Sequence, residues 1–273
     1  MNSLPQPLEY SIASEIDPAF ALRARFILET VQKKKPLTIL DAGCGRGFYT
    51  RAFTFFPFLK TITGIDLKKE YLDKAEKEVK DKRVKLLEAS IYALPFKNET
   101  FDFAVSSEVM EHLPDDVAAL KELKRVVKKG GTLIISVPHR SFPFLWDPLN
   151  WILMKFFNTH VPKDIWWLAG IWADHERLYT MEEITSVAKK AGWKVKKTQS
   201  VIHYAWPLSH FLLYGIGKNI VEGLGAKEFS RFSFQRKPFS EWLSKLVAYP
   251  STFDPNDMTG KSSVDLIIEL EKH

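Results

Sequence analysis

The chain has 273 residues, 45% of them hydrophobic and 26% charged, enough to bury a full core in one large domain or two small ones. A formal charge of +6 would suit a nucleic acid or an anionic membrane. The lysines, however, are dispersed among acids in "VQKKK", "KEVKDKRVK", "VVKKGG" and "KVKK", and give no strong nucleic-acid signal.

One cysteine, Cys44, excludes an internal disulfide framework and suits a cytoplasmic setting. The first twenty residues have neither the basic start nor the apolar core of a signal peptide, and no uninterrupted apolar run of about 18 residues needs to span a membrane.

Asp17-Pro18 reads as an N-cap with proline at the first helical position, opening a helix through about Gln32. Short β-rich runs follow at Leu37 to Asp41, Thr61 to Asp66, Val84 to Glu88, Phe101 to Ser106 and Thr132 to Val137. Helical stretches such as "KKEYLDKAEKEVK" and "DDVAALKELKRVVKK" separate them. Alternation of this kind predicts right-handed βαβ units and a doubly wound, Rossmann-like α/β fold with a parallel sheet. "MEEITSVAKKAG" is a further helix with glycine at its end, "WKVKKTQSVIHY" a strand, and "SSVDLIIELEKH" a closing strand. Two stretches break the alternation, 140–178 and 205–260, and all eight tryptophans lie from Trp146 onward. These stretches are read as aromatic-rich cap insertions on a single domain spanning 1–273.

The loop in "ILDAGCGRGFYT" leaves a strand and enters a helix through Gly43, Gly45 and Gly47, residues that permit positive φ and close backbone approach to a ligand. Its spacing differs from the dinucleotide pattern G-x-G-x-x-G. Asp41 just before the loop would repel a pyrophosphate and attract a cationic nucleoside. Asp66, at the end of the next strand, is placed to accept hydrogen bonds from ribose hydroxyls.

The segments "LDAGCGRG", "GIDL", "ALPFKNETFDFAVSSEVMEHLPD" and "LKRVVKKGGTLIISVP" resemble, in order, the motifs of class I S-adenosylmethionine-dependent methyltransferases, in the branch that includes the ubiquinone and menaquinone biosynthesis enzymes. The resemblance implies a seven-stranded sheet of order 3-2-1-4-5-7-6 with the last strand antiparallel. It also implies S-adenosyl-L-methionine as cofactor. Asp41, Gly43 and Gly45, with Cys44 as the small residue between them, would lie against the methionine part, and Asp66 would bind the ribose. Leu67 and Ile91 would sandwich the adenine, and Ser107 would face the cofactor near its sulfur. Ser90 stands where the family usually has an acid for the adenine amino group, which predicts weaker adenine discrimination.

A hydroxyl acceptor usually needs a general base. Candidates beyond the strand ends are His112 beside Glu111, His139, and His175 beside Glu176. His139 and His175 are expected at the pocket mouth. No H-x-x-x-H spacing is present, so no metal site is expected. "WDPLNWILMKFFN" predicts a helix apolar nearly all round, and "WPLSHFLLYGIGKNIV" a second apolar segment. Phe144 to Phe157 and Trp206 to Val221 are expected to pack together over the carboxyl edge of the sheet as the site of a small, apolar or lipid-like acceptor, with peripheral membrane contact on the cytoplasmic face as a corollary. The basic charge also permits an RNA or protein methyltransferase, and cofactor motifs alone permit a non-catalytic binding protein.

Overall fold

In the computed structural model, which describes residues 3–165, 168–217, 230–254 and 262–273, the β-rich runs assemble into one sheet. Its strands are β1 (Thr38–Ala42), β2 (Thr61–Asp66), β3 (Val84–Glu88), β4 (Phe101–Ser107), β5 (Val127–Pro138), β6 (Lys194–Val201) and β7 (Asp265–Glu271). The order is β3-β2-β1-β4-β5-β7-β6. The first five pair in parallel, while β7 runs antiparallel to both β5 and β6.

The central strands are apolar on both faces because both are covered. Ile39, Ile62, Phe103, Val105 and Ile267 join one core with α1 (Gln6–Ala13), α2 (Pro18–Lys34) and α3 (Phe48–Phe53). Leu40, Ala104, Leu133 and Ile268 face the opposite core, with α5 (Asp116–Val126) and α7 (Met181–Lys190). Between β2 and β3 runs α4 (Lys69–Glu78).

Capping chemistry sets the helix starts. Asp17 accepts hydrogen bonds from the N–H groups of Ala19 and Phe20 at 3.0 and 3.2 Å, with Pro18 in the first turn of α2. Thr180 and Glu183 form a reciprocal capping box on α7. The helix expected through Lys129 stops at Val126, because Val127 already pairs with Phe101 and opens β5.

The two tryptophan-rich stretches contain α6 (Pro148–Phe157), a π-helical turn (Phe211–Gly217) and α8 (Pro238–Ala248). They meet through the N–H groups of Leu208 and His210, which donate to the carbonyls of Leu145 and Trp146 at 2.8 and 3.1 Å. The expectation for residues 218–221 falls outside the described residues.

Candidate functional site

The carboxyl ends of β1 and β4 open into a cavity of about 1550 Å³. The glycine loop forms its floor. Gly43 has φ +79°, and a Cβ there would meet Val109 Cγ2 at 2.4 Å, so the loop seats directly on the segment after β4. Gly45, at φ +51°, has nothing within 4 Å of a Cβ position and lines the cavity. Its backbone is therefore the bare surface on which a ligand can rest.

Asp66 holds this loop from the neighbouring strand. One carboxylate oxygen accepts the Gly45 N–H at 2.8 Å and the other the Lys68 N–H at 2.9 Å. A carboxylate has about four lone-pair sites, so two remain for ribose hydroxyls. Asp41 is fully buried behind the loop, where it accepts from the Thr50 N–H and hydroxyl at 2.9 and 2.7 Å. Desolvation outweighs those bonds and raises its pKa to about 7. It is not on the cavity wall, so it acts from behind by fixing the first turn of α3.

Asp66 itself, at the end of β2, and Leu67, Ser90 and Ile91 beyond the ends of β2 and β3 also lie outside the wall, at the edge of the cavity past Gly45. Leu67 is 71% exposed, unusual for a leucine and suited to a flat apolar ligand face, while Ile91 is buried. The Ser90 hydroxyl accepts the Tyr92 N–H at 3.3 Å. Cys44 lines the cavity but is only 8% exposed, and burial pushes its thiol pKa up, away from reactivity.

Ser107 lies on the wall next to Glu108, a non-glycine residue at φ +55°. Such a backbone position persists only when its surroundings enforce it. Here the Glu108 carboxylate accepts the Ser136 hydroxyl at 3.0 Å and pairs with buried Arg23 at 3.3 Å. The Tyr49 hydroxyl is buried close to Ser107 and Arg23, and the Ser14 hydroxyl is buried without a hydrogen-bond partner among the described residues. Tyr49 and Ser14 both line the cavity. An orphaned polar group in a wall is what a polar ligand satisfies.

The histidines separate. His139 is 2% exposed, bonded through Nδ1 to the Ser263 hydroxyl at 2.8 Å, with burial lowering its pKa to about 4. It pins the β5–β7 junction and does not reach the pocket mouth, contrary to the sequence expectation. His112 and His175 instead face each other, ring centres 4.9 Å apart. Each Nδ1–H donates to a carbonyl, of Asp174 at 2.8 Å and Ile171 at 2.6 Å, which leaves Nε2 unprotonated in the neutral rings. Burial lowers the His175 pKa, with His112 adding to the shift. Glu111 completes the group: it is fully buried, and both its oxygens lack hydrogen-bond partners among the described residues. Desolvation, followed by nearby Glu108, raises its pKa well above the usual carboxylate range.

The donor atoms of Glu111, His112 and His175 lie within 4.8 Å of one another, a set that can relay a proton or hold a divalent cation. The linear spacing that argued against a metal site could not register it. None of the three is on the cavity wall, as His175 at a pocket mouth would require; Glu108 is the nearest group in sequence that is.

The acceptor half of the cavity differs from expectation on one side. The segment after β6 contributes Trp206, Leu212, Leu213 and Tyr214, but no residue of 144–157 lines it. The opposite side is the α1–α2 junction, from Ser11 to Arg23. The two are clasped by Tyr214, which donates to Asp17, and by Arg231, which pairs with Glu15 at 2.7 Å and stacks over Phe20 at 3.7 Å. In the sequence "EIDPAF" signals only a helix start, and nothing local marks it as a wall.

Residues 40–135 match the family described as "Methyltransferase domain". An uncharacterized methyltransferase of Schizosaccharomyces pombe is 41% identical over 36% of this chain and 38% of its own length. The ubiquinone biosynthesis O-methyltransferase of Aeromonas salmonicida is 29% identical over 67% of this chain and 71% of its own. The demethylmenaquinone methyltransferase of Bacillus velezensis is 32% identical over 60% and 74%. A solved S-adenosylmethionine-dependent methyltransferase from Mesorhizobium loti shares the fold, with a TM-score of 0.52, 16% identity, and 86% and 91% coverage.

Proposed function

The chain belongs to the class I S-adenosylmethionine-dependent methyltransferases, and on that premise we propose that it methylates a small apolar, quinone-like or lipid-like acceptor. The observation that carries this reading is the continuity of one cavity from the glycine loop to an apolar wall formed by Phe48, Leu212, Leu213, Phe232, Leu243 and Val247. At about 1550 Å³ it exceeds the roughly 300–1,000 Å³ of a single-ligand pocket, and so has room for cofactor and acceptor together. The names of the Aeromonas and Bacillus relatives point to the same class of acceptor.

When bound, S-adenosylmethionine supplies an electrophilic methyl group on a sulfonium. Gly43, Gly45 and Asp66 are the residues that would hold it, through the bare backbone of Gly45 and the free lone pairs of Asp66. The apolar wall orients the acceptor and excludes water, and positioning alone contributes on the order of 7–11 kcal/mol in such reactions. For a hydroxyl acceptor, Glu108 on the wall takes the proton, and its electrostatic influence on Glu111 and His175 makes those residues, with His112, the group that would receive it onward. The test is a charge in the apolar wall: Leu213→Asp should abolish methyl transfer to organic-phase acceptors while S-adenosylhomocysteine affinity stays within about twofold. Unchanged transfer would sink the acceptor assignment.

A further inference from the structure

The helix α6 is inside out. Its buried residue is the amide Asn150, which donates to Asp147 and to the Ala169 carbonyl at 2.8 Å each. Phe156 and Phe157, by contrast, are 67% and 68% exposed. Phe156 is the start of a continuous strip. It meets Trp151 at 6.5 Å, and Trp151 meets Phe144 at 5.1 Å. The Leu208 N–H donates to the Leu145 carbonyl at 2.8 Å, and the Trp206 indole to the Leu246 carbonyl at 2.9 Å. Trp206 stacks on Tyr249 at 6.4 Å, and Tyr249 meets Phe253 at 5.4 Å. Apart from Trp151, every residue in this chain of contacts is at least 41% exposed. Soluble proteins rarely leave contiguous apolar patches beyond about 300–600 Å² uncovered.

Cations border the strip. The Lys155 ammonium lies 4.3 Å from the Trp151 ring centre and 5.9 Å from that of Phe156. Lys245, next in sequence to Leu246 of the strip, is exposed. α6 contains no acid, and the acid of α8, Glu241, is largely covered and lies 3.6 Å from Arg236. Aromatic side chains interleaved with basic ones match the interfacial region of a bilayer with anionic headgroups. A second copy seated on the same face across a two-fold axis would bring these cations together, which disfavours self-association. Among the described residues no helix is long and apolar enough to cross a membrane, so contact would be at the surface.

We propose that the strip from Phe156 to Phe253 docks the protein on an anionic lipid bilayer. The purpose of docking rests on the apolar-acceptor reading: Trp206 and Leu246 belong both to the strip and to the cavity wall, so an apolar acceptor passes from bilayer to cavity without crossing water.

The test is flotation of the full chain with vesicles of phosphatidylcholine, or of phosphatidylcholine with phosphatidylglycerol, at low and high salt. The protein should float with the anionic vesicles, and less with neutral ones or at high salt. The paired change Phe156→Ser with Phe253→Ser, and separately Lys155→Glu with Lys245→Glu, should each weaken partitioning about tenfold or more. S-adenosylhomocysteine affinity should hold in both, since none of these side chains belongs to the glycine loop or to Asp66, which brace the cofactor's place. No flotation, or flotation that neither pair alters, overturns the proposal. So does a sedimenting dimer that the aromatic pair dissolves, which would assign the strip to a second copy. No acceptor is used, so failure here leaves the acceptor reading intact, and methyl label found only in water-soluble products would leave the docking result intact.

Discussion

The carboxylate of Asp66 accepts the backbone N–H of Gly45 at 2.8 Å, so the end of β2 holds the turn that leaves β1. The same side chain is thus both a brace of the loop and the candidate ribose acceptor. Asp66→Ala removes a charge-assisted hydrogen bond worth about 1.5–3 kcal/mol. Calorimetry should show S-adenosylhomocysteine binding weakened at least about tenfold.

Two glycines of one loop should fail differently. Gly43→Ala combines positive φ with a 2.4 Å contact to Val109, whereas Gly45→Ala has open space. The first should lose about 2–4 kcal/mol of stability, from backbone strain and overpacking together. The second should lose only about 1–2 kcal/mol from strain, yet bind cofactor poorly because the new methyl group occupies the ligand's place. Thermal melts with and without S-adenosylhomocysteine separate the two outcomes.

Burial lowers the His139 pKa to about 4, against a usual value of 6.5. Between those values the unfolded chain binds a proton that the folded one does not. Stability is therefore full above pH 6.5 and declines as pH falls to about 4. A His139→Asn variant, which cannot titrate there, should start less stable and show a shallower decline across that window in denaturant titrations.

His175→Ala should lower turnover by about 100-fold if the acceptor is a hydroxyl, the usual scale for loss of general-base assistance. Cofactor affinity should be unchanged, because the ring meets Ile171 and His112 and not Gly43, Gly45 or Asp66, the residues placed to hold the cofactor. Turnover that persists at saturating acceptor would remove the His112–His175 pair from the chemistry.

The sheet was legible because β-rich runs such as Leu133–Ile135 are apolar without interruption, and the structure sends Leu133 and Ile134 to opposite covered faces. The glycine loop was legible because positive φ restricts residue type. The helix α1 was not: only Leu8, Ser11 and Ile12 are buried, and its role as a cavity wall depends on the distant clasp of Arg231 with Glu15. Nor could the Glu111–His112–His175 group be read, since His175 reaches it from the segment after β5 and leaves no local spacing. For α6, hydropathy gave an apolar helix but not its orientation. The hydrogen bonds of Asn150 decide that, and turn the aromatic side chains outward.

The central claim, methyl transfer from S-adenosylmethionine to an apolar small molecule, is tested most directly by incubating the protein with deuterated-methyl cofactor and separate lipid, polar, RNA and protein fractions of its source cells. Mass spectrometry should find the label in an organic-phase product, made by the wild-type chain and not by Asp66→Ala at limiting cofactor. Label confined to the RNA, protein or polar fraction, or cofactor binding with no labelled product in any fraction, would contradict the account.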